Sequence, residues 1–277
     1  IINGLTIDRS STNYIGLFGY TDGATIQDLG VTNVNIKGAR WVGGLVGRVM
    51  GNSTISNCYS TGSVGETSRD VGGLVGWVRD NSTISNCYST CSVTGTVVGG
   101  LVGWPRDNST ISNCYSTGSV TGTGNYVGGL AGYINATASV INCYSTGSVT
   151  DETSFNGGFV GRVSDNPTVS NCFWDTQTSG HGSSADGTGK TTAEMKTAST
   201  FYDADWDFEE DGNGNDNGTN GGASGNGTDN YWDMDQDGNN YPVLSWQDGA
   251  TVLVTDLTDP SAPTALIATP GNTQVVL

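Results

Sequence analysis

Apolar and polar residues recur along the first 175 residues with a fixed long period rather than with the period of a helix. Each period contains a Gly-Gly-Leu-Val-Gly segment, as at residues 72–76, and then an Ile-Ser-Asn-Cys-Tyr-Ser-Thr segment, as at 84–90. The central apolar residues of the first segment are 27 to 29 residues apart, and they are Leu17, Leu45, Leu74, Leu101, Leu130 and Phe159. A constant period in this range indicates an array of stacked units.

Each unit has the composition of short strands, because β-branched and aromatic residues dominate it. In the second unit the pattern predicts strands at 42–49, 53–59 and 61–64, separated by corners rich in Gly, Asn and Asp. Three strands in about 29 residues fit one coil of a solenoid, whereas a propeller blade needs about 40 residues and four strands. We therefore predict an all-β, right-handed parallel β-solenoid of about six coils.

Stacked coils place equivalent residues about 4.8 Å apart, so that they form ladders along the solenoid axis. The glycine pairs are predicted to mark a tight bend, and the recurring Asn to mark a left-handed corner. Besides the Leu positions, the predicted ladders are Ile26, Ile55, Ile84, Ile111, Val140 and Val169; Val64, Val93, Val120 and Val149; and Asn57, Asn86, Asn113, Asn142 and Asn171.

A ladder of aromatic residues has two interpretations. Its members are Tyr59, Tyr88, Tyr115, Tyr144 and Phe173. The rings either stack from coil to coil or form an exposed surface on which sugar rings stack. We favour stacking between coils, because each Tyr follows a Cys directly and only one of the two side chains can point inward.

Five of the six cysteines share one repeat position, and Cys91 stands where other units have Gly. Neighbouring residues of a ladder have parallel rather than converging Cβ directions, which disfavours disulfides. We predict a buried ladder of reduced thiols, with one or two disulfides involving Cys91 as the alternative. The ladder positions are Cys58, Cys87, Cys114, Cys143 and Cys172.

The net charge of −17 is unevenly distributed, since residues 181–277 contain 16 acidic residues and 2 basic ones. Such a chain repels phosphate backbones, so nucleic acid is not expected as a partner. No apolar run reaches 18 residues, so no membrane span is expected in this fragment. The first residue is Ile1 and the last residues are apolar, from which we expect an internal piece of a longer polypeptide.

The region after residue 175 differs in composition. We predict a solenoid at 1–175, a closing segment at 176–250 with a Gly/Asn/Asp-rich loop at 209–230, and a linker with a further β-domain start at 251–277. A short helix at 191–199, with Thr191 or Thr192 as N-cap, is expected to cap the end of the solenoid. The tryptophans expected to complete this cap are Trp206, Trp232 and Trp246.

One candidate metal site lies in the closing segment. Asp233, Asp235, Asp237 and Asn239 have the spacing of the first ligands of an EF-hand-like calcium loop. Position 12 is Leu244 instead of a bidentate Glu, so a solvated turn is the alternative. No other cofactor is predicted.

The repeated Gly-Gly-Leu-Val-Gly and Ile-Ser-Asn-Cys-Tyr-Ser-Thr-Gly-Ser-Val segments resemble the GLUG-motif repeats of bacterial and archaeal surface proteins. Residues 189–196 and 240–246 resemble the segments that close such arrays, with an insertion at 209–230. The stretch from Asp259 to Leu277 resembles the start of a fibronectin type III domain. The resemblance implies a secreted, adhesin-like surface protein.

No nucleophile elbow, phosphate-binding loop or metalloprotease motif is present, and His181 is the one histidine. Asp80 and Asp107 occupy matching corners and are interpreted as turn formers. We expect no enzyme but an extracellular structural and adhesive segment that acts as a spacer. The expected partners are itself, other surface proteins or glycans, with a homopolymer formed by strand addition or end-to-end stacking as one form. The alternative is a solenoid that binds or cleaves carbohydrate.

The same corners contain N-glycosylation sequons at Asn52, Asn81, Asn108 and Asn135. All four are expected at one corner, where exposed side chains would accept a glycan.

Overall fold

The repeat unit forms one coil of a parallel β-solenoid with about six turns, as the period predicts. The structure is a computed structural model that describes residues 1–66, 68–151, 155–208, 231–234, 240–248 and 275–276. Four long sheets run along the solenoid, and we label them A to D; their strands are given below. Within each coil the chain passes through sheet B, then sheet C, then sheet D and then sheet A. Every pairing between coils is parallel and in register among these residues, with one register shift between Ser60 and Gly62.

The strands are short, because corners interrupt the chain every few residues. Sheet A contains Ile2–Asn3, Thr6–Asp8, Gly30–Lys37, Tyr59–Gly65, Tyr88–Ser89, Ser92–Gly95, Tyr115–Ser116, Val120–Gly122, Tyr144–Ser145, Val149–Thr150, Phe173–Asp175 and Thr188–Lys190. Sheet B contains Asn13–Ile15, Arg40–Gly43, Arg69–Gly72, Val98–Gly99, Val127–Gly128 and Asn156–Gly157. Sheet C contains Phe18–Asp22, Val46–Met50, Val75–Val78, Val102–Pro105, Ala131–Asn135, Val160–Ser164 and Val275–Val276. Sheet D contains Thr25–Gln27, Thr54–Ser56, Thr83–Ser85, Thr110–Ser112, Ser139–Ile141 and Thr168–Ser170.

The glycine pair divides the strand that we predicted at 42–49. The chain bends at residues 44–45, between Arg40–Gly43 of sheet B and Val46–Met50 of sheet C. A Cβ on Gly43 would overlap the carbonyl oxygen of Val46, so the bend excludes larger residues there. The prediction of a bend at the glycine pair is confirmed, and the prediction of three strands per coil is wrong.

The ladders fill the interior. Ile55, Ile84 and Ile111 pair in register, and Leu45, Leu74 and Leu101 are fully buried. The Val64 and Val93 ladder continues to Ile36 at the first coils. These residues and the cysteines form one continuous apolar core, which stabilises the rod because every coil buries the apolar side chains of its neighbours.

Left-handed residues turn the corners. Asn57 and its ladder equivalents have φ of 51° or 52°, as predicted for the Asn corner. Asp80–Asn81 and Asp107–Asn108 each have two successive residues with positive φ, which short Asx side chains tolerate. The interpretation of Asp80 and Asp107 as turn formers is therefore confirmed.

The end of the sixth coil is covered by the residues that follow it. Thr188–Lys190 adds a parallel strand to Phe173–Asp175, and the backbone of Ser183 and Ala185 bonds to Gly158 and Val160. His181 lies in this cover, where its Nε2 is 3.1 Å from the Val149 carbonyl oxygen. This histidine is half-buried.

The closing segment contains more helix than the one predicted. The helix predicted at 191–199 is shorter and spans Thr192–Met195, with Thr191 as its N-cap and Glu194 in a capping box. The described residues also contain the helices Thr176–Ser179, Ser199–Tyr202 and Ser245–Asp248, and the antiparallel pair Trp232–Asp233 with Val243–Leu244. No helix in this part of the chain is long and apolar enough to cross a membrane.

The predicted loop at 209–230 lies outside the described residues, as does most of the fibronectin-like stretch Asp259 to Leu277. Within that stretch the backbone of Val275–Val276 pairs antiparallel with Tyr20 and Thr21, at the open edge of sheet C in the first coil.

Candidate interaction surface

The Tyr ladder stacks from coil to coil. Adjacent rings of Tyr59, Tyr88, Tyr115 and Tyr144 have centroids 4.9 to 5.0 Å apart and interplanar angles of 3° to 6°. Adjacent rings therefore turn their faces to each other, and the ring edges are the part of the ladder that the closing segment can reach.

The closing segment covers these edges. Trp246 lies 6.1 Å from Tyr59 and 5.8 Å from Tyr88, and Trp232 lies 5.8 Å from Tyr144. Tyr144 and Trp232 form a second apolar core with Met195, Phe201, Trp206 and Leu244, and Tyr88 and Trp246 pack against it. Two indole N–H groups anchor it, since Trp206 donates to the carbonyl of Asn171 and Trp246 to that of Asn86.

This arrangement decides between the two interpretations of the Tyr ladder. Tyr115 and Tyr144 are buried, and their hydroxyl groups donate to Gln247 and to the Pro242 carbonyl. Burial raises the pKa of Tyr144 well above its ordinary value. The ladder is a docking surface for the closing segment, so it does not offer the exposed sugar-stacking surface that we considered. The tryptophans cover the side of the solenoid rather than its end, contrary to our prediction.

A second array of aromatic rings flanks the glycine bend, with one column of residues before the bend and one after it. The first column consists of the residues that lie two positions before the first glycine of each bend, on the side of sheet B. The second column consists of the residues that directly follow the next glycine, in sheet C. The first column is Tyr14, Trp41, Asp70, Val97, Tyr126 and Phe155, and the second is Tyr20, Arg48, Trp77, Trp104, Tyr133 and Arg162.

The rings of the two columns stack into a nearly continuous array. Centroids are 4.6 Å apart for Tyr14 and Trp41, 5.1 Å for Trp41 and Trp77, and 5.8 Å for Trp77 and Trp104. Tyr133 continues the array 5.6 Å from Trp104. Interplanar angles of 12° to 25° show that these rings too turn their faces to one another.

Five arginines lie over these rings, at 4.2 to 5.2 Å from the nearest centroids. Each such cation–π contact contributes about 0.5–1 kcal/mol at an exposed site. We name the two columns and these five arginines the aromatic–arginine strip. Its arginines are Arg40, Arg48, Arg79, Arg106 and Arg162.

Three aspartates pair with part of this charge. Asp70 is fully buried and accepts from Arg40 Nε at 2.7 Å, and Asp80 and Asp107 lie within 2.9 Å of Arg79 and Arg106 respectively. Within the described residues neither Arg48 nor Arg162 forms a salt bridge. The strip therefore carries excess positive charge on a strongly acidic protein.

The sequence contains a signal for this strip that ladder analysis missed. The residue after the last glycine of the Gly-Gly-Leu-Val-Gly segment, or of its equivalent in the first coil, is Tyr, Arg or Trp in all six coils, as at Gly76-Trp77 and Gly103-Trp104. This position is not among the apolar, Gly, Asn and Cys-Tyr ladders predicted from the sequence.

The sequons do not all share one corner. Asn52, Asn81 and Asn108 are exposed, but Asn135 is 8 % exposed and accepts a hydrogen bond from Trp104 Nε1. The backbone of Asn108 pairs with Ala136, so Asn135 lies before the left-handed turn and belongs to the strip side. The expectation of four equivalent sequons is wrong for Asn135.

The candidate calcium ligands are mostly outside the description. Asp233 lies in the strand paired with Val243, whereas Asp235, Asp237 and Asn239 lie outside the described residues. In the part of the chain that is described, no three His, Cys, Asp or Glu side chains come together as a metal site. The calcium site stays a prediction.

All six cysteines are free and buried, as predicted. Each ladder Sγ lies 3.0–3.1 Å from the carbonyl oxygen two residues before it. Burial raises the pKa of the Cys91, Cys114 and Cys172 thiols, which keeps them protonated and unreactive.

Comparison with known proteins identifies the repeat but little else. Four segments match the family profile described as "The GLUG motif", at residues 38–65, 67–98, 94–121 and 123–150. Searches of curated proteins and of solved structures return no significant match. The matched segments coincide with the second to fifth coils, so the unit that we inferred from the period matches this motif in four coils. These repeats and the solenoid fold fit a structural repeat protein.

Proposed function

We propose that this chain is a non-catalytic, extracellular segment of a surface or filament-forming protein, in which it acts as a rigid spacer and an adhesive surface. The observation that carries the proposal is the aromatic–arginine strip, which follows one side of all six coils. The described ring contacts of the closing segment lie on the other aromatic ladder. The proposed extracellular location of the chain rests on the resemblance of its repeats to those of surface proteins.

The spacer role is supported by the continuous ladders. Six coils at about 4.8 Å per step form a rod roughly 25 Å long. Each coil is held by backbone hydrogen bonds and by buried apolar side chains on both sides, so the rod has no internal hinge in the described coils.

The adhesive role is supported by backbone strain at three aromatic residues of the strip. Tyr14, Trp41 and Tyr126 have φ of 61°, 55° and 69°, where an aromatic L-residue is strained by about 1–2 kcal/mol. The Asn corner has the same conformation with a residue that tolerates it. Ring stacking offsets part of this cost, at about 0.5–1.5 kcal/mol per pair. Strained, half-buried aromatic residues on an outer surface are typical of binding sites.

The absence of catalysis is supported by the arrangement of carboxylates. Glycoside cleavage needs two carboxyl groups about 5–9.5 Å apart around a bond. On the strip Asp70 is buried and bonded to Arg40, and Asp80 and Asp107 are paired with arginines at corners. Each of the three is therefore engaged by an arginine.

A glycan array combined with a reducing-end assay tests this proposal. We expect binding to at least one glycan class, or to a second copy of the protein, without release of new reducing ends. Trp104→Ala with an unchanged circular dichroism spectrum should weaken that binding. Turnover of any glycan would contradict the proposal and favour the alternative of a carbohydrate-cleaving solenoid.

Self-association through strand addition is a second proposal, supported by the pairing of Val275–Val276 with the first coil. The open edge that accepts this strand in one chain can accept it from another. End-to-end stacking is less favourable, because residues 183–190 cover the last coil. Sedimentation of the chain and of a variant ending at residue 248 tests this. Larger species should form with the full chain and not with the truncated one, and equal association would contradict strand addition.

A further inference from the structure

We propose that the aromatic–arginine strip binds a linear polyanionic polysaccharide through its carboxylate or sulfate groups. This inference rests on the proposed adhesive function and assigns a ligand class to it.

The distribution of basic residues supports an anionic ligand. The strip contains five of the ten basic residues of a chain whose net charge is −17. Acidic residues are concentrated after residue 180, so the field of the solenoid itself is much weaker than the net charge suggests. The strip is therefore the one place among the described residues where several cations line up along the axis.

Arg48 and Arg162 are the strongest candidates for direct contacts. Arg48 lies 4.4 Å from the Trp77 ring, and Arg162 lies 5.2 Å from the Phe155 ring and 5.4 Å from that of Tyr126. Neither has an acidic partner in the described part of the chain. A guanidinium without an acidic partner keeps its planar fork of N–H donors for a ligand, and this fork binds carboxylate or sulfate with two hydrogen bonds.

Unsatisfied donors point to the same ligand chemistry. The Nε1 atoms of Trp41 and Trp77 and the Nε atom of Arg48 are buried and have no acceptor among the described residues. Trp77 is 7 % exposed, and Arg48 forms part of its cover. A buried donor without an acceptor is unfavourable, so an acceptor-rich ligand that draws Arg48 outward would stabilise this part of the strip.

The spacing of the coils suits a polysaccharide. Equivalent side chains lie about 4.8 Å apart along the axis, which is close to the length of one pyranose residue in a linear chain. Arg79 and Arg106 occupy equivalent corner positions of adjacent coils, two residues after Trp77 and Trp104. Arg48 lies one coil before Arg79, and Arg162 lies two coils after Arg106. A uniform polyanion lying along the axis can therefore contact arginines of several coils.

The stacking of the rings favours an anionic polysaccharide over neutral sugars and single-stranded nucleic acids. Neutral sugars and single-stranded nucleic acids bind aromatic residues mainly through exposed ring faces. Within the strip most faces are covered by the neighbouring ring or by an arginine. Phe155 is the exception at 44 % exposure, and it lies beside Arg162, where an apolar sugar face and its acid group can bind together.

Binding to immobilised polysaccharides tests the inference. The probes are polygalacturonate for carboxylates, heparin for sulfates, dextran as a neutral polymer, a single-stranded DNA and poly-glutamate. The variants are Arg48→Gln/Arg162→Gln, and as a matched control Lys190→Gln/Lys196→Gln, which removes two cation–π cations at Phe173 and Tyr241. Arg48→Lys/Arg162→Lys keeps the charge but not the two-donor edge.

We expect binding to polygalacturonate or heparin, or to both, that weakens as salt is raised. The Gln double variant should lose at least tenfold in affinity, the Lys variant less, and the control variant should bind as the native chain does. Equal or tighter binding to DNA or poly-glutamate, or an unchanged affinity in the Gln variant, would overturn the inference. Binding to dextran alone would also overturn it but would leave the adhesive function standing. Failure to bind any probe or a second copy would count against both.

Discussion

Single residues decide how each corner of the solenoid is made. At successive coils the same turn is formed by Asp80–Asn81 and Asp107–Asn108 and then by Ala136–Thr137. All six residues have positive φ. Asn and Asp enter this region with little strain, but a β-branched Thr does not. The fifth coil therefore stores strain that its neighbours lack.

Thr137→Asn should raise the free energy of unfolding by about 1 kcal/mol, because it removes a β-branched residue from the left-handed region. An Asn amide can also replace the hydrogen bond from the Thr137 hydroxyl to Asn108 Oδ1. Chemical denaturation measures the change. The reverse change in the preceding coil, Asn108→Thr, is the control and should destabilise by a similar amount. A stabilised Asn108→Thr protein would contradict the argument.

Asp175 is the residue that joins the solenoid to the closing segment. Its carboxylate accepts from the backbone of Gln177 and Thr178, from Thr192 Oγ1 at 2.7 Å and from Tyr241 Oη at 2.7 Å. Burial by itself would raise the pKa of this carboxyl, but the donated hydrogen bonds outweigh it and hold the pKa below its usual range. A lowered folded-state pKa means that Asp175 stabilises the fold above its unfolded pKa, and that this is lost as pH falls through the folded value.

Asp175→Asn should destabilise the closing segment by about 1–3 kcal/mol at neutral pH, because the amide N–H₂ cannot accept from Tyr241 and Thr192. The unfolding transition followed by tryptophan fluorescence measures this. In the native chain the same transition should move to lower denaturant concentration below about pH 4, while the Asn variant should show a smaller shift. The same acid shift in both proteins would show that other carboxylates are responsible.

At the scale of elements, the closing segment and the Tyr ladder form one unit. Burial raises the pKa of Tyr88 to about 12, and burial together with the bond to Asp175 raises that of Tyr241 to about 12. Tyr88 lies in the ladder and Tyr241 in the segment that covers it. Both groups therefore stabilise the docked state only in the protonated form.

The closing segment should dissociate from the ladder between about pH 10 and 12. A raised folded-state pKa gives stability that is complete below the unfolded pKa near 10 and is lost as pH rises through the folded value. Tyrosinate absorbance and tryptophan fluorescence should change together in this range, before the β-sheet signal of the solenoid is lost. Simultaneous loss of all three signals would contradict a separable segment.

The cysteine ladder makes a further prediction about reactivity. All six thiols are buried in the core, so none should react with a thiol reagent in the native protein and all six should react after unfolding. Mass spectrometry after alkylation with and without denaturant counts them. Rapid labelling of Cys91 in the native protein would contradict its burial, and a disulfide in the native mass would contradict the ladder of free thiols.

Periodicity explains why the ladders could be predicted and the second core could not. The register of Ile55, Ile84 and Ile111 follows from spacing alone, because identical units stack identically. The contact of Trp246 with Tyr59 joins residues whose separation belongs to no repeat. The sequence indicates that the tryptophans of the closing segment form a cluster, but only the fold shows that they cover the side of the rod.

At the scale of the whole molecule, the solenoid has two aromatic faces with different uses. One is covered by the closing segment of the same chain, and the other holds Trp41, Trp77 and Trp104 among arginines. The sequence predicted the rod, its six coils and its reduced thiols. It did not predict the strip, because the alternation of Arg with aromatic residues at one position obscured a ladder whose members are not identical.

Hydroxyl-radical footprinting of the protein bound to polygalacturonate tests the central claim most directly, because it reports each aromatic residue separately. The account predicts protection of Trp104, Tyr126 and Phe155 in the strip, and unchanged oxidation of Tyr59 and Trp246 on the covered face. Protection of Tyr59 and Trp246 with no change at Phe155 would place the ligand on the Tyr ladder and contradict the account.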